Sequence, residues 1–195
     1  MPPSAYAMAA SHHFHVYGTT REQLAEIAVV ARQWALMNPV AWEKEPLSVA
    51  VVLGARMVSF PFTTSGAVES GRLAYEMAGV KPRDVDAAQL YDAFTICTLI
   101  LLEDLGFCVK GEGGAFVDKG GIAPGGRFPV NTNGGGLSDC HPGMYGGLVL
   151  IEAARQIHGV CGPRQVDDAK IVLAHGNGDV LSSQCTVILG AGATL

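Results

Sequence analysis

The glycine-rich stretch 131–147, Asn-Thr-Asn-Gly-Gly-Gly-Leu-Ser-Asp-Cys-His-Pro-Gly-Met-Tyr-Gly-Gly, constrains this chain more than any other segment. Its six glycines disfavour a regular helix or strand, and they let the backbone turn through φ > 0 with main-chain N–H groups open to a ligand. From Leu148 through Ile157 the pattern turns apolar and helical. His141 and Tyr145 therefore fall on the loop that opens a helix, where free N–H groups and the dipole favour developing negative charge. The density of turn-forming and amide residues predicts a cradle for an anion or a carbonyl oxygen, and His141 is the first candidate for its chemistry.

The rest of the chain must supply a scaffold for that loop. With 49% hydrophobic and 16% charged residues among 195, it can bury one sizeable core. A mean hydropathy of +0.27 is high for a lone soluble subunit and leads to the expectation of a subunit interface. No apolar run approaches the ~18 residues of a membrane span, since residues 94–102 are followed at once by Glu103 and Asp104. A formal charge of −5 without a Lys/Arg cluster argues against nucleic acid or an anionic membrane as partner. The five cysteines are odd in number and show no Cys-x-x-Cys spacing, which suggests neither a disulfide framework nor a zinc site. With no basic and apolar leader and no lipidation box, a cytoplasmic location is the expectation.

In chain order, residues 1–18 hold Ser11-His12-His13-Phe14-His15. No carboxylate or cysteine nearby completes a ligand set, so the non-metal reading is favoured. Thr20 caps a helix expected over 20–37, with Glu22 and Gln23 in its first turn and Leu24, Ile27, Ala28, Ala31 and Ala35 on one face. Residues 38–64 read as irregular, with nothing periodic longer than 47–53. Thr64-Ser65 caps a helix whose face is Ala67, Val68, Gly71, Ala74, Tyr75 and Ala78, and Gly79 stops it. A short buried strand over 87–91 then leads through Tyr91-Asp92-Ala93-Phe94 into a helix ending at Leu105, an αβ unit of a layered fold. Sites gather where strands end, so Tyr91 and Asp92 stand in a productive place; equally, Tyr91 fits a core aromatic and Asp92 an N-cap. Residues 106–136 form a glycine-rich excursion too long for a plain connection and read as a functional loop. After a helix over 144–158, a strand over 169–175 runs into a hairpin across 176–180. The last strand, 181–189, is continuously apolar in its second half, as a strand covered on both faces would be.

Three anchors at these spacings carry a resemblance: Tyr91-Asp92-Ala93-Phe94, Cys140-His141-Pro142 and the glycine hairpin at 176–178. Over 64–190, with further similarity at 6–39, the chain resembles the C-terminal half of a thiolase-superfamily enzyme of the sterol-carrier-protein thiolase and lipid-transfer-protein branch. Thiolases carry Asn-Glu-Ala-Phe at the first anchor, the sterol-carrier branch His-Asp-Cys-Phe, and both carry Gly-His-Pro at the second. The resemblance implies a thiolase-like three-layer (α/β/α) fold, with residues 1–57 a remnant of the preceding region and 58–195 the C-terminal domain. It implies His141, Tyr145, Tyr91 and Asp92 as catalytic residues. Asn131, Asn133, Gly134, Gly176, Asn177 and Gly178 would bind substrate, a coenzyme A thioester; no cofactor is bound covalently and no metal is required. It also implies a small partner protein with an OB-like fold, beside the homodimer that the apolar composition suggests.

The departures from the family pattern are as informative. The nucleophilic cysteine of the thiolase N-terminal half has no counterpart, Ala93 stands where the sterol-carrier branch has its acid/base cysteine, and the hairpin begins His175-Gly176 without Cys-x-Gly. That pattern resembles the retro-aldolases of steroid side-chain degradation, which cleave a β-hydroxyacyl-CoA into a ketone and a shorter acyl-CoA. Such a reaction needs a base and an enolate hole but no acyl-enzyme, so a nucleophilic thiol is dispensable. Three readings stand: a C–C bond lyase, a thiolase-type acyltransferase, and a non-catalytic acyl-CoA- or lipid-binding remnant. A metal hydrolase built from the histidines lacks any His-Glu-x-x-His or carboxylate spacing. Arg56-Met57 also runs almost directly into the Thr-Ser-Gly helix start, where family members carry several tens of residues.

Overall fold

A computed structural model of the chain describes residues 2–54, 65–178, 181 and 183–192. Helix α1 (Pro2–Tyr17) is followed by α2 (Arg21–Met37). The second begins at a complete capping box, in which the Thr20 hydroxyl accepts from the Gln23 N–H at 3.3 Å and Gln23 Oε1 accepts from the Thr20 N–H at 2.9 Å. Short α3 (Val49–Leu53) starts at Ser48, and α4 (Ala67–Ala78) ends at Gly79, whose φ of +68° is the left-handed cap that glycine supplies without strain. Strand β1 (Ala87–Leu90) leads to α5 (Thr95–Asp104), then to the short helices α6 (Gly113–Val117) and α7 (Gly135–Ser138). The fold closes with α8 (Tyr145–Ile157) and the strands β2 (Ile171–Gly178) and β3 (Ser183–Gly190).

The sheet runs β1-β2-β3, with β1 and β2 parallel in the register Leu90↔His175 and β3 antiparallel to β2. A single parallel bridge, Ala88↔Val130, extends it on the far side of β1. One face packs on α8 through Ala87, Val172, Ala174, Val149 and Ala153. The other packs on the core that holds α5, through Ala88, Leu90 and Leu173. Helix, sheet and helix make the three-layer thiolase-like arrangement. Helix α5 is apolar on every side and buried from Ile96 to Glu103, so the core must enclose it.

Residues 2–17, to which the sequence assigned no element, are helical, because Tyr6 and Ala9 bury against the α5 core and tertiary packing selects the helix. Other expectations are corrected. Asp92 is not the N-cap of α5; that position is Phe94, with no side-chain cap. Within the excursion 106–136, Val117, Ile122, Ala123, Phe128 and Val130 join the core, and the cleft described below uses none of these five. Strand β3 is only partly buried rather than covered on both faces, because it is an edge that pairs with β2 alone among the described residues. The Arg56-Met57 junction, Thr64 and hairpin residues 179, 180 and 182 lie outside the described residues.

A buried glutamate on an otherwise largely apolar helix needs a partner, and His13 of α1 provides it. Its Nε2 lies 3.0 Å from both Glu103 oxygens, both side chains are fully buried, and the Thr19 hydroxyl sits 2.8 Å from Nδ1. The Gly113 N–H donates to Glu103 at 2.9 Å and Lys110 Nζ lies 3.2 Å away. Burial alone would raise the Glu103 pKa, but the bond and charge of His13, then Gly113 and Lys110, hold it below the usual value. Among the described residues no group of three or more His, Cys, Asp or Glu could hold a metal. Breaking one side of such a pair costs about 3–5 kcal/mol, and His13→Ala should lose that much in denaturant unfolding. Because the folded pKa of Glu103 is depressed, its contribution is present above the ordinary glutamate range and is lost as pH falls through the folded value. His13→Ala should therefore flatten the acid limb of stability, measured as unfolding midpoint against pH.

Candidate active site

The cleft opens at the carboxyl ends of the parallel pair β1 and β2, where open α/β sheets place ligands. It measures about 460 Å3 and is lined by Tyr91, His141, Tyr145 and Asn177 with Tyr6, Ala93, Phe94, Met144, Gly146 and Gly178. Tyr91 is the first residue beyond β1, held there by its N–H to the His175 carbonyl at 2.9 Å and by Asn177 Nδ2 donating to its carbonyl at 2.9 Å. Its hydroxyl lies 3.0 Å from His141 Nε2. The Tyr91 ring stacks on Tyr145 with centroids 5.5 Å apart, and the His141 ring stands edge-on to both tyrosines. Thus the three aromatic residues singled out in the sequence converge on one cleft.

Their environments separate their chemistry. His141 is exposed on the rim and Tyr91 is half-buried, so both meet solvent or ligand. Tyr145 is fully buried, and its hydroxyl exchanges hydrogen bonds with Asn133, accepting from Nδ2 at 2.9 Å and donating to Oδ1 at 3.2 Å. Burial, then the nearby Asp92, raises the Tyr145 pKa far above the ordinary phenol range. Tyr145 therefore stays protonated and presents its ring, not its oxygen, to the cleft. Burial also raises Tyr91, with Cys97 and Asp92 adding to it, so the Tyr91 phenol is a weak acid and can act as a base only as His141 takes its proton. Tyr145 also begins α8, whose first-turn N–H groups receive no side-chain cap from Met144 and border the cleft with Gly146.

Asn131, Asn133 and Gly134 lie behind the cleft wall. Asn131 Oδ1 accepts from the Leu90 N–H at 2.6 Å, locking the loop to the end of β1. Asn133 holds Tyr145 and donates to Asp139 at 3.0 Å. Gly134, at φ +108°, lets α2 approach: a Cβ there would sit 2.7 Å from the Ala35 Cβ. Asn177 and Gly178 line the cleft, whereas Gly176 packs beside Gly146 at the start of α8. Asp92 is buried behind the wall, with Oδ1 accepting from the Gly136 N–H at 2.6 Å. Sequence reasoning missed Tyr6, Phe94 and Met144. Tyr6 reaches the cleft only because residues 2–17 form a helix, its ring 4.8 Å from Phe94 and its hydroxyl 3.4 Å from Asn177 Oδ1.

These features define a class: an α/β domain with a Tyr–His pair at the carboxyl ends of its parallel strands. The thiolase C-terminal domain-like family matches residues 55–191, and the chain belongs to it. It is 31% identical to an acetyl-CoA acetyltransferase of Methanothermobacter thermautotrophicus, over 90% of this chain and 60% of that protein. It is 30% identical to a steroid side-chain-cleaving aldolase of Thermomonospora curvata, over 97% of this chain and 62% of the relative. A solved structure of an Ltp2-ChsH2(DUF35) aldolase superposes with a TM-score of 0.87 at 27% identity, covering 96% of this chain and 63% of that one. The chain therefore spans about three-fifths of the length of these relatives. The acetyltransferase alignment runs over 229 positions against 90% of a 195-residue chain, so the relative carries several tens of residues, inside the aligned span, that this chain lacks. No described helix is long and apolar enough to cross a membrane.

Asn133→Ala should destabilise the fold by about 1–3 kcal/mol in denaturant unfolding, because it strands the buried Tyr145 hydroxyl. Tyr145→Phe in the same background should recover only part of the loss, since the Gly135 N–H and the Asp139 carboxylate that Asn133 also pairs stay without it.

Proposed function

We propose that this domain carries the reacting end of an acyl-CoA C–C bond lyase, cleaving a β-hydroxyacyl-CoA by retro-aldol chemistry. The observation that carries the reading is the 3.0 Å contact between the Tyr91 hydroxyl and His141 Nε2 on an open cleft whose described lining contains no cysteine. Tyr91 oxygen takes the proton of the substrate β-hydroxyl as its own proton passes to His141 Nε2. The O–H pair becomes the ketone C=O, the Cα–Cβ bond breaks, and its electrons enter the thioester as an enolate. The enolate oxygen lies against the uncapped first turn of α8, where backbone N–H groups and the helix dipole oppose its charge. Return of the proton through Tyr91 to Cα gives the shorter acyl-CoA, so no covalent enzyme intermediate and no redox partner enter. Tyr145 fixes the stacking and height of Tyr91, and Asn177 fixes its backbone.

The kinship with a steroid side-chain-cleaving aldolase supports a bulky, ring-bearing acyl group as substrate. The kinship with an Ltp2-ChsH2(DUF35) aldolase supports a DUF35-type partner, in line with the OB-like partner protein that the resemblance implies. Exposed Val40 and Trp42, 73% and 82% accessible, favour self-association as well. Sedimentation at micromolar concentration should give a species heavier than 20.4 kDa, and a clean monomer would remove the homodimer.

The reading is tested with a β-hydroxyacyl-CoA, following ketone and acyl-CoA release together. His141→Ala and Tyr91→Phe should each lower kcat by about 10²–10³ with little change in acyl-CoA binding. Cys140→Ala should leave turnover near the parent value. A cysteine variant alone abolishing turnover would favour the acyltransferase, and binding without any turnover would favour the non-catalytic remnant.

A further inference from the structure

Asp92 is the one member of the Tyr-Asp-Ala-Phe run with a reactive group that the chemistry above leaves unused. Its side chain is 1% exposed. Oδ1 accepts the Gly136 N–H, while Oδ2 has no hydrogen-bond partner among the described residues. The carboxyl presses on Gly135, which sits at φ +68° and leaves no room for a Cβ beside Oδ2. Gly136 is where Asp92 and His141 meet: a side chain there would lie 3.2 Å from Asp92 Oδ1 and 3.7 Å from His141 Cδ2. A buried carboxyl with an idle oxygen is costly as an anion and tolerable as an acid.

We propose that Asp92 is a positioning residue with two states. Neutral, it docks the 135–141 segment, and with it His141, on the end of β1; ionised, it places a buried negative charge behind Tyr91 and Tyr145 and opposes the anion that develops in the cleft. The groups facing it are Tyr91 beside it in the chain, Cys97 on α5, Tyr145 on α8 and, across Gly136, His141; Asn131 and the amides of Gly136 and Leu137 supply dipoles. No cationic side chain is among them. Burial pushes the Asp92 pKa up to about 7, against the pull of the Gly136 and Leu137 amides and Asn131. The sign follows: as pH rises through that value the carboxyl ionises, the phenols of Tyr91 and Tyr145 become harder to deprotonate, and enolate formation slows.

The effect on turnover rests on the lyase reading, whereas the charge state of Asp92 does not. Asp92→Asn keeps an oxygen for Gly136 and cannot ionise. In the parent, kcat for a β-hydroxyacyl-CoA should fall as pH rises past about 7, and in Asp92→Asn that limb should vanish. The ratio of kcat at about pH 8.5 to that at about pH 6.5 should then rise by about threefold or more over the parent. Independently of turnover, the Tyr91 ring followed by selective-label NMR should titrate at lower pH in Asp92→Asn, because the charge behind it is gone. An unchanged limb with an unmoved Tyr91 titration overturns the proposal. A shifted Tyr91 in a protein without turnover upholds the charge state of Asp92 and removes the lyase reading. Should Asp92→Asn not fold, the isotope-edited infrared band of Asp92 in the parent decides. A carboxylic acid at about pH 6 that becomes carboxylate by about pH 8 supports the proposal, and carboxylate at both overturns it.

Discussion

The site depends on one buried ion pair. Arg164 donates to Glu152 at 2.9 and 3.2 Å, both side chains 5% or less exposed, and the remaining capacity of the pair is taken up locally. Glu152 Oε1 accepts the Thr132 hydroxyl at 2.7 Å, Thr132 pairs with Gln89 of β1, and Gln156 Nε2 joins Thr132 to the Arg164 carbonyl. A buried pair repays its desolvation only when its other lone pairs and protons are satisfied, and here they are. The consequence is positional. Thr132 lies between Asn131 and Asn133, so the network clamps the middle of α8 to the same loop that sets Leu90 and the Tyr145 hydroxyl. Tyr145 and the first turn of α8 are therefore fixed relative to Tyr91 by bonds that lie outside the cleft.

A second constraint places His141. The carbonyls of Ser138 and Asp139 accept from the Glu43 and Trp42 N–H groups at 3.2 and 3.0 Å, and Arg32 Nε donates to the Ser138 hydroxyl at 3.1 Å. The segment after α2 thus braces the turn from which His141 projects. His141 itself stays exposed at the rim while its base is fastened. Met144, at φ +42° and 94% exposed, marks the strained step from that rim into α8.

Legibility in the sequence followed how local each cause was. The starts and stops of α2 and α4 were readable because Thr20, Gln23 and Gly79 act on their own neighbours. The convergence of Tyr91, His141 and Tyr145 was readable because strand ends and the glycine-rich loop are local signals with known placement in layered folds. The helix of residues 2–17 was not, since prolines and a histidine cluster carry no helical pattern and only burial against α5 selects it. The asparagines were ambiguous for a related reason. A loop rich in Asn and Gly looks the same from sequence whether its amides face a ligand or satisfy a buried strand end, and Asn131 and Asn133 do the latter. Gly113 and Gly114 likewise yield space to Glu103, Leu99 and Gln23 rather than to a ligand.

The cleft carries no formally charged lining residue among those described, which limits how it can handle an anion. A lysine or arginine would bind the thioester oxygen in the ground state as readily as a phosphate or carboxylate, whereas backbone N–H dipoles reward only an oxygen placed at their focus. Stabilisation of that kind grows as charge develops and costs no reorganisation, provided the dipoles are held rigid. Rigidity is what the Glu152–Arg164 network supplies to α8, and it explains why so many polar bonds are placed behind the wall rather than in the cleft. Within the proposed lyase reading, the polar core serves to keep one helix terminus and one Tyr–His contact still while the enolate forms between them.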